Sequence, residues 1–245
     1  MPDDLVFHIR WHTVPVPAPR SPVRTYHARA GRLSPASRRA LAELLPQLTL
    51  DVATASPWPF GADTPVVLEI GSGMGEATVE MARADPSTRI VAVEVHRPGV
   101  AALLRQIERE RLTNVTVLDA DAISVLQDMV PSGALAGIRS FFPDPWPKKR
   151  HHKRRLFRPE LVSLMADRLA IGGVLHAATD WSEYAGQMVA VLDAEPRMVN
   201  KYAGFAPRPI WRPVTRFEQR GLRLGHQVHD VMFRRVDPPV SSALG

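Results

Sequence analysis

From residue 65 onward, short apolar runs alternate with segments of helical character, and this alternation limits the fold more than any other feature of the sequence. Apolar runs of strand length occupy Val66–Ile70, Arg89–Glu94, Val115–Asp119, 138–142 and 173–179. Helical segments follow at 76–83, 98–111, 122–129, 159–169 and 182–192, and two further strands are predicted at 197–202 and 227–236. Strands that alternate with helices form βαβ units with right-handed crossovers. The sequence therefore predicts an α/β fold built on one doubly wound sheet.

The segments that flank this region differ from it in composition. Residues 1–24 are rich in proline and arginine, which predicts a flexible basic N-terminal arm. Residues 25–60 are predicted to hold a helix and a linker. Ser34 suits the N-cap and Pro35 the first helical position, and the helix is expected to run to Leu45 and to be ended by Pro46. The main domain is expected at 61–237, followed by a tail at 238–245.

Composition excludes several classes of protein. The 245 residues include no cysteine, which rules out disulfides and zinc sites built on thiolates. No window approaches the roughly 20 apolar residues that a membrane span needs. The N-terminus also lacks the basic and then apolar pattern of a secretory signal. We therefore expect a cytoplasmic protein that does not contact a membrane.

Positive charge is concentrated in one run. The chain has 31 basic and 25 acidic residues, a net charge of +6, and much of the excess lies at 148–155. A basic patch on a nearly balanced body favours a polyanionic partner that is met at one face. The alternative is a solvated surface segment with no partner.

The first predicted strand ends in a turn that contains three glycines, in the segment LEIGSGMGE. The dinucleotide fingerprint would need a glycine at the position of Glu76, whose carboxylate would repel a pyrophosphate. Four acidic residues fall at the carboxyl ends of four successive strands, where such sheets bind ligands, and Glu69 is the one beside the glycine turn: Glu69, Glu94, Asp121 and Asp144. An N-cap or turn role is the alternative for each of them.

Asp144 lies in the segment FFPDPWPKKRHHKRR, between prolines that restrict the backbone. Such a loop loses little entropy when it binds a ligand. For Trp146, packing in the core is favoured over stacking on a base. The segment therefore holds one carboxylate rigidly beside a run of cations.

Three segments, FPDPWPKKRHHKRRL, ATDW and TRFEQRGLRLGH, together resemble the bacterial tRNA (guanine-N7-)-methyltransferase family, over about residues 60–236. The resemblance implies a Rossmann-like methyltransferase sheet of seven strands, with the last strand antiparallel, and an N-terminal extension. It implies S-adenosyl-L-methionine as cofactor and N7 of guanine 46, in the variable loop of tRNA, as the methyl acceptor. The implied partner is tRNA, and the protein is expected to be a monomer or homodimer without an obligatory protein partner.

The resemblance also assigns residues. The implied catalytic residue is Asp144. The implied cofactor contacts are Glu69, Gly71, Gly73, Gly75, Glu94, Asp121 and Asp144. The implied substrate contacts are Lys148, Asp180, Thr215, Arg216, Phe217 and Glu218, and the implied RNA contacts are Arg150, His151, His152, Lys153, Arg154 and Arg155. The family usually has lysine at the position of Arg216, so a planar guanidinium replaces a point charge there. No metal site is expected.

Three other functions are compatible with parts of the sequence. A non-catalytic RNA-binding module would keep the fold without the reaction, and the acids after four strands argue against it. A nucleotide-dependent oxidoreductase is disfavoured by Glu76. A methyltransferase that acts on another RNA would share the cofactor residues but not the PDPWPKKRH, TDW and TRFE segments.

Overall fold

The computed structural model describes residues 23–26, 32–50, 58–61 and 63–237. The predicted N-terminal arm lies outside these residues except for 23 and 24, and the predicted tail at 238–245 lies wholly outside them. Within the described part, no helix is long and apolar enough to cross a membrane.

The strands and helices alternate as predicted. The strands are β1 Val66–Ile70, β2 Arg89–Glu94, β3 Val115–Asp119, β4 Leu135–Phe141, β5 Leu169–Thr179, β6 Met198–Asn200 and β7 His229–Arg235. The helices are α1 Pro35–Glu43, α2 Leu45–Leu48, α3 Glu76–Ala84, α4 Arg97–Glu110, α5 Ala122–Asp128, α6 Pro159–Arg168, α7 Ser182–Asp193 and α8 Arg216–Arg223. A 3₁₀ helix, Lys149–Arg154, lies between β4 and α6.

The sheet has seven strands in the order β3-β2-β1-β4-β5-β7-β6. The neighbouring strands from β3 to β5 are parallel, and β7 is antiparallel to both β5 and β6. The predicted fold class, with its antiparallel last strand, is therefore confirmed. The chain order reverses between β1 and β4, so the crevice beyond the ends of these two strands is where a sheet of this kind binds its ligand.

Two apolar layers cover the faces of the sheet. Helices α1, α3 and α4 pack on one face, where Val100, Leu103 and Leu104 are fully buried. Helices α5, α6 and α7 pack on the other face, around Leu68 and Phe157. Because both faces are covered, the parallel strands are mostly apolar on both faces rather than alternating.

Several predicted boundaries are wrong. Helix α1 ends at Glu43, and Pro46 lies in the first turn of the separate helix α2, where its missing N–H is not needed. Strand β5 begins at Leu169 rather than at 173, and Gly172, with φ of 84°, lies within it. Helix α8 was not predicted. The N-cap at Ser34 is confirmed, since its side chain accepts from the N–H of Ser37 at 3.1 Å.

Candidate active site

The turn after β1 has the backbone geometry that its glycines allow. Gly71, Gly73 and Gly75 have φ values of 78°, 58° and 84°, in the left-handed region that other residues rarely adopt. A Cβ atom on Gly75 would lie 2.6 Å from Cδ1 of Leu103, so this glycine allows α3 to approach α4 closely. At Gly71 and Gly73, no atom lies within 4 Å of the Cβ position. The turn is therefore packed at its third glycine and open at the first two.

Helix α4 packs directly against the same turn. A Cβ atom on Gly99, in the first turn of α4, would lie 2.3 Å from the carbonyl oxygen of Gly73. Sequence reasoning did not identify Gly99, because a glycine near a helix start gives no local sign of what it contacts. The position of Gly73 is thus set by α4 as well as by its own strand.

Glu94, the last residue of β2, also holds the glycine turn in place through hydrogen bonds. One carboxylate oxygen of Glu94 accepts from the N–H of Gly73 at 2.7 Å. The other accepts from the N–H groups of Val95 and His96, at 2.8 Å each. A carboxylate has about four lone-pair sites, so these bonds do not prevent a further hydrogen bond from a ligand hydroxyl.

Asp121 takes the capping role that was open as an alternative. Its side chain accepts from the N–H of Ile123 at 2.8 Å and caps α5. Like Glu94, the Asp121 carboxylate has lone pairs left to accept a further hydrogen bond from a ligand. The structure thus places the first three predicted acids at the carboxyl ends of the strands: Glu69 is the penultimate residue of β1, Glu94 is the last residue of β2, and Asp121 follows β3.

Glu69 is the most deeply buried of these acids. It is 2% exposed, and its carboxylate accepts from the Thr78 hydroxyl at 2.5 Å. Burial raises the pKa of Glu69, and the hydrogen bond from Thr78 and the charge of Arg139 offset this only in part. Arg139 is the register partner of Glu69 on β4.

Asp144 is half-buried in the loop after β4. The glycine turn follows the neighbouring strand β1, and the chain order reverses between these two strands, at the switch point of the sheet. The backbone on either side of Asp144 is unusual. Phe142 and Trp146 have φ values of 55° and 44°, which cost energy in residues with large side chains. Trp146 is 4% exposed and its indole N–H donates to the carbonyl of Thr25 at 3.2 Å, so the prediction that it packs rather than presents a free face is confirmed.

Arg155, which was predicted to contact RNA, is instead buried. Its side chain has no exposed surface, and it donates to the Glu183 carboxylate at 2.5 and 2.9 Å. It also donates to the carbonyl of Pro145 at 2.8 Å and to the side chain of Gln187. The guanidinium has no surface to offer to a phosphate here, so its role is to tie the Asp144 loop to α7.

The remaining cations of this run are on or near the surface. Lys148 and Arg150 are exposed, as are Lys149 and Lys153, and the rings of His151 and His152 are half-buried. The guanidinium of Arg154 lies over the Trp146 ring, 4.9 Å from its centroid. The 3₁₀ helix therefore presents a basic ridge directly after the Asp144 loop.

The predicted substrate segment, 215–218, forms the start of α8. The Thr215 hydroxyl caps the helix by accepting from the N–H of Glu218 at 3.2 Å. Arg216 contacts Glu76 of α3, through its backbone N–H at 2.9 Å and its Nε at 3.0 Å. The segment thus docks onto the helix that begins at the glycine turn. Asp180, another predicted contact, accepts from the His226 ring, with 2.9 Å between Oδ2 and Nδ1.

Glu218 belongs to a buried ionic cluster. It pairs with Arg212, which also lies 2.8 Å from the Asp230 carboxylate, and all three side chains are at most 3% exposed. Although burial acts to raise it, the pKa of Asp230 is lowered by a hydrogen bond from His176 and by the charge of Arg212. Burial lowers the pKa of His176, so its imidazole is neutral at physiological pH. Sequence reasoning missed Arg212 and His176, because the partners that they contact lie in other elements, on α8 and β7.

Comparison with known proteins identifies the family of the chain. A family model described as "Putative methyltransferase" matches residues 63–231. The tRNA (guanine-N(7)-)-methyltransferase of Nitrosomonas europaea is 51% identical over 218 residues, which cover 87% of this chain and 97% of the relative. The tRNA (guanine-N(7)-)-methyltransferase of Nitrosospira multiformis is 49% identical over 225 residues, which cover 89% of this chain and 96% of the relative.

A solved structure shares the fold. The geranyl diphosphate C-methyltransferase of Streptomyces coelicolor A3(2) gives a TM-score of 0.50 at 14% identity, over 81% of this chain and 76% of the other. This similarity shows the fold alone. The two sequence relatives, by contrast, are similar over almost their whole lengths. The chain therefore belongs to the tRNA (guanine-N(7)-)-methyltransferase family.

Proposed function

We propose that this protein transfers the methyl group of S-adenosyl-L-methionine to N7 of a guanine in tRNA, specifically guanine 46 of the variable loop, and that it does so in the cytoplasm. Family membership supports the reaction class. The single structural observation that carries the proposal is the arrangement at the switch point. There, a glycine turn that is open at Gly71 and Gly73 follows β1, and the loop that holds Asp144 follows the neighbouring parallel strand β4.

The residues at the glycine turn fit this cofactor. S-adenosyl-L-methionine has a positive sulfonium and ammonium and no phosphate, so acidic side chains stabilise it where they would repel a pyrophosphate. We assign the ribose hydroxyls to Glu94 and the adenine amino group to Asp121. Glu69 supplies negative charge beneath the turn, and Gly71, Gly73 and Gly75 let the cofactor approach the backbone. All of these residues lie at one edge of the sheet.

When bound, S-adenosyl-L-methionine would supply an electrophilic methyl group. The lone pair of N7 would form the new bond to this methyl group, and the electron pair of the methyl–sulfur bond would stay on sulfur. N7 of guanine carries an exposed lone pair, so no side chain has to remove a proton first. The protein therefore acts by orientation, which can contribute about 7–11 kcal/mol to catalysis. We assign orientation to Asp144, which accepts from the N1–H and N2–H₂ edge of guanine and offsets the positive charge that appears on the purine.

The basic ridge supports tRNA as the partner. We assign phosphate contacts to exposed cations that adjoin Asp144, including Lys148 and Arg150, with the other surface residues of the 3₁₀ helix: His151, His152, Lys153 and Arg154. Lys148, Asp180 and residues 215–217 are assigned to the substrate nucleotide and its backbone, whereas the buried Glu218 is assigned to holding that segment in position. In A-form RNA, N7 lies in a groove too deep and narrow for side chains, so the target is expected in a loop.

The test is to incubate the protein with S-adenosyl-L-methionine and unmodified tRNA and to map 7-methylguanine by mass spectrometry of nuclease fragments. We expect one modified guanine, in the variable loop. D144A is expected to lose at least about 10²-fold in kcat and to bind tRNA as the wild type does. Methylation at another position would refute guanine 46, and tRNA binding without any methyl transfer would support the non-catalytic RNA-binding module instead.

A further inference from the structure

Two aromatic rings meet beside the Asp144 loop. The ring centroids of Phe142 and Phe217 are 5.1 Å apart, with 56° between the ring planes. Phe142 lies two residues before Asp144, and Phe217 is the second residue of α8. The contact therefore joins the proposed catalytic loop to the helix that docks at the glycine turn.

Phe217 differs from the other residues of its segment. The side chains of Thr215, Arg216 and Glu218 contact the cap of α8, Glu76 and Arg212 respectively. The Phe217 side chain contacts Phe142, yet the residue is 58% exposed. Of this segment, then, Phe217 alone presents a large apolar surface to solvent. An exposed ring of this kind beside a nucleic-acid site is suited to stack on a base.

Phe142, whose ring Phe217 contacts, has an unusual backbone conformation. Its φ of 55° turns the chain away from the path of β4, and this conformation is costly for an aromatic residue. Backbone strain of this kind is found at ligand sites, where the rest of the structure fixes it. In this structure the strained residue supports the exposed ring of Phe217.

We infer that the Phe142–Phe217 pair stacks on the target purine and binds the positively charged, N7-methylated form more tightly than the neutral form. The inference deepens the proposed function and rests on it. Methylation at N7 leaves a positive charge on the purine. Aromatic faces attract cations, through their negative π-surface, by a free energy that corresponds to about a twofold to thirtyfold difference in affinity. The pair thus contributes more as charge develops on the base, and it adds to the charge compensation assigned to Asp144.

The test compares the binding of guanosine 5′-monophosphate and 7-methylguanosine 5′-monophosphate by calorimetry, in mildly acidic buffer where the methylated base keeps its charge. We expect the wild type to prefer the methylated nucleotide by about twofold to thirtyfold. F217W should keep or increase this preference, and F217L, which is apolar but not aromatic, should abolish it. Equal binding of both nucleotides to the wild type, or a preference that F217L keeps, would overturn the inference, as would no measurable binding of either nucleotide.

Two further variants separate stacking from a change in folding. F142G removes a ring but accepts the left-handed backbone without strain, so it is expected to fold and to weaken the preference. F205L makes the same substitution at a 43% exposed phenylalanine that packs on His229, and it should keep the preference. The readout is independent of turnover. A wild type that forms no 7-methylguanine would refute the proposed function, whereas an active wild type without the preference would refute only the stacking role.

Discussion

The guanidinium of Arg212 donates to both oxygens of the Glu218 carboxylate, at 2.7 and 2.9 Å, and both side chains are almost fully buried. The same guanidinium donates to Asp230 of β7 at 3.0 Å. Arg212 therefore fastens the start of α8 to the sheet from inside the protein. Since the Glu218 carboxylate is held in this way, we expect it to position the segment 215–218 rather than to bind the guanine.

Replacing Arg212 should destabilise the fold more than replacing Glu218. R212M leaves two carboxylates buried without their cation, and removal of one partner from such a cluster typically costs about 3–5 kcal/mol. E218Q leaves Arg212 paired with Asp230, so we expect a loss of about 1–3 kcal/mol. Urea unfolding followed by circular dichroism measures both values.

The matched control is R220M, the same substitution at an exposed arginine of α8, which should change stability by no more than about 0.5 kcal/mol. If E218Q instead had wild-type stability and a raised KM for tRNA, Glu218 would have to be a substrate contact after all.

If the basic ridge binds phosphates, removing its charges should change how the affinity for tRNA depends on salt concentration. We expect the triple variant K149Q/R150Q/K153Q to bind tRNA more weakly and to show a shallower slope of log affinity against log salt. The slope should change by about 0.7–0.9 for each phosphate that the variant no longer neutralises. The measurement is a filter-binding titration at several salt concentrations.

The control for the ridge removes equal charge elsewhere. Arg111, Lys201 and Arg234 are exposed, and they lie after the last residue of α4, after β6 and in β7 respectively. R111Q/K201Q/R234Q should keep the wild-type slope. If both triple variants changed the slope alike, the attraction would come from net charge and not from the ridge.

Sequence predicted the fold most accurately where local pattern decides structure. Strands β1, β2 and β3 have the bounds that their mostly apolar runs predict, because a parallel strand that is covered on both faces is apolar along most of its length. Helix α8 was missed because its sequence, RFEQRGLR, is strongly polar and has an internal glycine. It is stabilised by the Thr215 cap and by the burial of Glu218 against Arg212, and the burial is a tertiary contact that no local pattern reveals.

The candidate site divides in the same way. The spacing of glycines and acids after the strands is local, so it identified the glycine turn and the acids at the edge of the sheet. Arg155 and Glu218 look like surface charges in the sequence. The burial of Arg155 depends on Glu183, 28 residues later, and the burial of Glu218 depends on Arg212, which Asp230 of β7 also holds. Whether a charged residue is exposed depends on such distant partners, which the sequence alone does not identify.

The buried Glu69 should make cofactor binding depend on pH. Its pKa is raised by burial, and the charged groups that face it are Arg139 and Glu94. A cationic ligand favours the ionised carboxylate, so affinity for S-adenosyl-L-methionine should rise as pH rises through the raised pKa, by at most about tenfold per pH unit. The pH range over which the affinity changes lies above the ordinary pKa of a glutamate side chain, about 4.3.

Calorimetric titrations at a series of pH values check this in the wild type and in E69Q. We expect the variant to bind more weakly and with a flatter pH profile on the acid side.

The free energy of unfolding should depend on pH with the opposite sign, so that it decreases as the pH rises. Because the folded pKa lies above the unfolded one, the contribution of Glu69 to folding is fully present below the unfolded pKa and is lost as pH rises through the folded pKa. A pH profile that E69Q leaves unchanged would assign the dependence to another group.

The contact between Gly99 and Gly73 predicts that one methyl group in α4 weakens cofactor binding. In G99A the added Cβ would lie 2.3 Å from the Gly73 carbonyl oxygen, which is backbone and cannot rotate away. The turn or the helix would have to shift by about an ångström, which can cost about 10²-fold in activity even when it originates away from the chemistry. We expect at least a tenfold loss of affinity for S-adenosyl-L-methionine, a decrease on the scale that such displacements produce.

The chain offers a matched control for this variant. Gly186 lies in α7, is exposed, and has no atom within 4 Å of its Cβ position. G186A should therefore stabilise the fold by about 0.4–1 kcal/mol, through the unfolded state, and leave cofactor affinity unchanged. If G99A bound the cofactor as tightly as G186A does, the turn would have to move without cost. The close packing of α4 against it would then not be what holds Gly73 in position.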